Sequence, residues 1–99
     1  MSEGSELAGA FDAAIEQTRK CLKAEMMTAG GEPARPLLEA LERALREQRE
    51  ITVDKGVVDR DWLQTTVRSV VAWLPETELA LIAAFGRIAR ADPSSQSLG

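Results

Sequence analysis

Pro36-Leu37-Leu38-Glu39-Ala40-Leu41-Glu42-Arg43-Ala44-Leu45-Arg46-Glu47-Gln48-Arg49-Glu50 is the stretch that decides the fold class. Projected at about 100° per residue, Leu37, Leu38, Leu41, Ala44 and Leu45 gather on one side. The opposite side carries unlike charges at i,i+4: Glu39 with Arg43, Glu42 with Arg46, Arg43 with Glu47, and Arg46 with Glu50. Each such pair adds about 0.2–0.5 kcal/mol at best. The punctuation Pro33-Ala34-Arg35-Pro36 opens the segment, so an amphipathic helix is predicted over 36–50.

Working outward towards the N-terminus, Leu7, Phe11, Ala14, Ile15, Thr18, Leu22, Met26 and Ala29 form a second stripe. Ser5 suits an N-cap, Lys20 and Lys23 lie towards the negative end of the dipole, and Gly30-Gly31 supply a stop. A helix over 5–29 follows. Beyond the central helix the pattern changes over 51–58 to Ile-Thr-Val, Asp-Lys-Gly and Val-Val. An ordered loop tucked over the bundle is the preferred reading there, because an isolated two-stranded ribbon is marginal; a very short hairpin is the alternative.

Asp59 is placed to cap a third helix over 59–74, with Val58 and Leu63 spaced as a hydrophobic staple. Trp62, Leu63, Val67, Val70, Val71, Trp73 and Leu74 cover about half its circumference, the breadth of a central helix with two or more neighbours. Pro75 then breaks the run, Glu76 and Glu78 suit a first turn, and Asp92-Pro93 ends a fourth helix over 76–91. The expectation is an all-α, small four-helix bundle-like domain over 1–92 with a flexible C-terminal tail over 93–99. The Pro75 connection sets the last two helices at an angle, so the sequence does not imply a regular up-down bundle or a packing order.

Composition narrows the function. Twelve bases face sixteen acids, a formal net charge of -4, and no basic run is present, which argues against nucleic acid as a partner. Histidine is absent, removing the commonest general base and metal ligand. Asp54, Asp59 and Asp61 cluster near Gly56 but lack the alternating ligands and closing glutamate of a calcium loop. Cys21 is the sole cysteine, and without an imidazole partner it reads as a buried, inert thiol. With no internal disulfide possible, no signal-peptide pattern and no apolar run long enough for a bilayer, a soluble cytoplasmic protein is expected. No catalytic residue, cofactor or metal site is predicted, and the chain is not expected to be an enzyme.

What remains is apolar surface. From Leu79 to Gly86 no charge interrupts the chain, and Leu79, Leu81, Ile82, Phe85 and Ile88 span a wide arc of the fourth helix with alanines filling the rest. A helix apolar nearly all round has to be buried nearly all round. That is difficult for the last helix of a 99-residue monomer. Gly86 would let a neighbouring backbone approach closely. The expected function is a non-catalytic protein–protein interaction module, such as an adaptor, accessory subunit or stoichiometric regulator. It would self-associate through the fourth helix and part of the third, with Trp73, Leu79, Ala80, Leu81, Ala83, Ala84, Phe85 and Ile88 at the interface. The partner is expected to be a second copy of the chain. The alternative is a small dimeric DNA-binding transcriptional regulator presenting Arg43, Arg46, Arg49 and Arg60.

Overall fold

In a computed structural model that describes the backbone of residues 3–73 and 79–91, the chain folds as α1 (Glu3–Lys23), α2 (Arg35–Lys55), α3 (Arg60–Trp73) and α4 (Leu79–Ala91). The all-α, four-helix class is as the periodicity predicts. No helix is long and apolar enough to cross a membrane among the described residues. The expected start of the fourth helix at 76 and the tail at 93–99 lie outside the described residues.

Two boundaries differ from the sequence reading. The first helix ends at Lys23, not at 29. Glu25 takes a left-handed conformation (φ 52°), and the chain folds back on itself. Ala34 N–H donates to the Met26 carbonyl (3.1 Å), Thr28 N–H to the Glu32 carbonyl (2.7 Å) and Gly31 N–H to the Thr28 carbonyl (2.9 Å). These bonds, with a single antiparallel bridge between Met27 and Pro33, satisfy backbone that would otherwise have continued the helix. Gly30-Gly31 therefore form the tip of a tight turn rather than the helix stop.

The second correction concerns 51–58, which is neither a loop nor a hairpin over its first five residues. The second helix runs through Ile51, Thr52 and Val53 to Lys55. Its buried row Leu38, Leu41 and Leu45 continues at Thr52, so the 3.6-residue period outlasts the β-branched composition. Extending an existing helix by one turn costs far less than nucleating a new element, and this offsets the modest penalty of Ile, Thr and Val. Gly56 then ends the helix in the left-handed region (φ 79°), its N–H donating to the Thr52 carbonyl at 2.7 Å.

At α3 the cap is as expected: Asp59 Oδ1 accepts from Trp62 N–H at 3.1 Å, and the Asp59 carbonyl accepts from Leu63 N–H at 3.0 Å. Val58 and Leu63 are both buried.

The packing order places α1, not α3, at the centre. The first helix packs against both α2 and α4, whereas α3 has α4 as its principal neighbour. Leu7, Ala10, Phe11, Ala14, Ile15, Thr18 and Cys21 of α1 are all buried, an arc broad enough for two flanking helices. The Thr18 hydroxyl sits in that arc without penalty because it donates to the Ala14 carbonyl at 2.8 Å. The third helix reaches the core through Leu63, Val70 and Trp62, the last with its ring 6.3 Å from that of Phe11. Its far end is tied to the α1–α2 connection, where Ala29 N–H donates to the Trp73 carbonyl at 2.9 Å.

The cap geometry predicts that Gly56→Ala destabilises the chain by about 1 kcal/mol, since a Cβ disfavours the left-handed region even where it meets nothing. Urea unfolding should show a lower midpoint at unchanged slope. An unchanged midpoint would mean that the helix does not end at this residue.

Candidate partner-binding face

The fourth helix divides the expected interface in two. Leu81, Ala84, Phe85 and Ile88 recur at helical spacing and point into the chain's own core, where all four are buried. These residues close the monomer over α1, and so they do not form an exposed contact surface. Ala80 and Ala83 are exposed on the other side of the helix. Trp73 is half-buried and packs against the core cluster, and the side chain of Leu79 lies outside the described residues. The apolar breadth of α4 is thus large residues inward and alanine outward, which one-sided burial satisfies.

The open apolar surface lies one row round the helix. Ile82, Phe85, Gly86 and Ala89 of α4 face Leu63, Gln64, Val67 and Arg68 of α3 across a groove of about 410 Å³. Gln64 and Arg68 are its only polar members. Ile82 and Val67 are half-buried, and Val71, one turn beyond Val67 on α3, is 55% exposed. Sequence reasoning named the right pair of helices and missed Ile82, Ala89, Leu63 and Val67 as its lining. The signal available was the half-apolar circumference of α3, which was assigned to intramolecular neighbours instead.

Gly86 has no structural reason within the chain. It lies inside α4, where glycine costs about 1 kcal/mol relative to alanine. A Cβ added there would meet only Arg90 Nη1, at an ordinary 3.5 Å.

A second cleft, of about 600 Å³, runs between α1 and α2 and is lined by charge, with Asp12, Glu16 and Glu50 set among Arg19, Lys20, Lys23, Arg46 and Arg49. It is largely an ion-pair seam. Glu42 binds both Arg46 (3.0 Å) and Arg19 (3.6 Å), and Arg49 binds Asp12 at 2.7 Å. The Glu42–Arg46 pair is the one legible from i,i+4 spacing. The cross-helix contacts Arg19–Glu42 and Arg49–Asp12 have no local sequence signal.

Chemically the molecule offers little beyond apolar contact. Among the described residues no cluster of three His, Cys, Asp or Glu side chains could hold a metal ion. Cys21 is buried. Of the arginines expected to face DNA, Arg46 and Arg49 are held by carboxylates across the α1–α2 seam.

The division of α4 is open to a stability test. Ile88→Ala should cost about 2–5 kcal/mol, because it empties a fully buried site. Ala83→Glu, one turn away on the exposed side, should stay within about 0.5 kcal/mol. Equal effects in thermal or urea unfolding would contradict the observed orientation of the helix.

No family model, curated protein or solved structure matches this chain, so its residues and geometry alone carry the functional reading.

Proposed function

We propose that the chain is a non-catalytic protein–protein interaction module that self-associates through the α3–α4 face. Adaptor, accessory subunit and stoichiometric regulator are the roles such a module would fill. One observation carries the reading: α3 is apolar over half its circumference yet has one principal helical neighbour, and the surplus opens as the groove described above. Burying that groove against a second copy would remove apolar surface from water without taking any acidic group out of solvent, since Arg68 is its only charged member. Cytoplasmic residence belongs to the same proposal and rests on the single cysteine, which has no second thiol in the chain to pair with.

The DNA-binding alternative draws less support. Its phosphate contacts would have to come from arginines already paired with Glu42 and Asp12, in a chain of net charge -4.

Solution mass by light scattering during size-exclusion chromatography tests the proposal. Ala89→Glu is the informative variant, because Ala89 lines the groove and is exposed, so a carboxylate there leaves the core untouched. A charge at buried Ala84 would unfold the chain instead of separating two copies. The expected outcome is a dimeric wild type and a monomeric Ala89→Glu with unchanged helical circular dichroism. A wild type that stays monomeric at high concentration, or an Ala89→Glu that stays dimeric, would sink the proposal.

A further inference from the structure

We infer that the groove is filled by α4 of a second copy, laid antiparallel so that Ile82 of each chain seats on Gly86 of the other. This arrangement rests on the self-association proposed above and specifies its geometry. At about 100° per residue, Ile82, Gly86 and Ala89 lie within about 60° of one another on α4, and all three line the groove. They present one large residue and two small ones on a single face.

A twofold interface requires that if Ile82 meets Gly86, then Gly86 meets Ile82. The i,i+4 spacing of these two residues meets that condition in an antiparallel pairing, where each large side chain finds the bare backbone of the other helix. Gly86 then has the function that the monomer does not give it. Gly9 of α1 is equally uncrowded, but its surroundings are Glu6, Arg87 and Arg90 rather than an apolar groove.

Charge selects the antiparallel direction and a second copy. The charged residues of α4 are Arg87 and Arg90, both near its C-terminal end. Parallel helices would set each arginine beside its own counterpart. The antiparallel register sets Arg90 opposite position 78, so the two Arg90 residues are separated by roughly 18 Å along the axis. Each then lies at the end of the partner helix that Glu76 and Glu78 precede in sequence. The chain therefore carries both halves of the complement that the interface needs.

The test uses the full chain and three variants. Gly86→Leu introduces a good helix former where the monomer has room, so helicity should be kept. The dimer should weaken by about tenfold or more in Kd, as expected when two side chains are forced into one close contact. Ile82→Ala should also weaken it. The exchange variant Ile82→Ala with Gly86→Leu restores a large residue against a small one in the same register, and should recover most of the affinity. Unchanged affinity in Gly86→Leu, or no recovery in the exchange variant, overturns the proposed crossing. In that event dissociation by Ala89→Glu would still uphold the α3–α4 face. A monomeric wild type overturns both.

Discussion

The fold depends on covering α1 from two sides. Seven positions of that helix, from Leu7 to Cys21, are buried, and no single neighbour can cover an arc that wide. The second helix takes one flank with Leu38, Leu41, Leu45 and Thr52. The fourth helix takes the other with Leu81, Phe85 and Ile88. Once both flanks are occupied, α3 reaches the core only by its inner edge, through Leu63, Val70 and the Trp62–Phe11 contact. The position of α3, its surplus apolar surface and the groove beside α4 all follow from that allocation.

Apolar burial outweighs the ion pairs in holding this arrangement. A fully buried leucine or phenylalanine contributes about 1.5–3 kcal/mol, and the core holds several. The α1–α2 seam is solvent-exposed: the Arg49 and Asp12 side chains are more than a third exposed, and Arg19 and Arg46 are about half exposed. Exposed pairs contribute roughly 0–1 kcal/mol each. Their value lies in register. Arg49 on Asp12 and Arg19 on Glu42 fit one sliding position of two antiparallel helices, whereas leucine rows tolerate a shift of one turn.

Helix identity was legible in the sequence because it is written in period, and every amphipathic stripe named from the residues became a helix. Boundaries were less legible, for two separate reasons. The residues Ile51-Thr52-Val53 have strand-like composition, yet Thr52 continues the leucine row, and the period prevailed over the composition. At the other boundary Met26 and Ala29 fit the stripe of α1, but tertiary hydrogen bonds of the turn over 26–34 took the backbone away from it. Packing order was not legible at all. The breadth of an apolar arc says how many neighbours a helix could use, not how many it gets. For α1 the arc and the neighbours agree, and for α3 they do not. The candidate site inherits this difference: its helices were readable, but its residues were not, because the sequence cannot say which row of α4 the core claims first.

The same limitation gives the α3–α4 face its meaning. A small chain has few helices with which to cover broad apolar arcs, and here the best covered is α1. An apolar row left over could have been replaced by charge, as it is on the outer face of α2, where arginine and glutamate alternate. Along α3 and α4 that replacement is sparse, with Arg68 the sole charge lining the groove. A mid-helix glycine lies in the same groove, where alanine would stabilise the monomer at no steric cost. Each feature works against an isolated chain, one by exposing apolar surface and the other by weakening a helix. Both become favourable under one condition, the close approach of another helix along that groove.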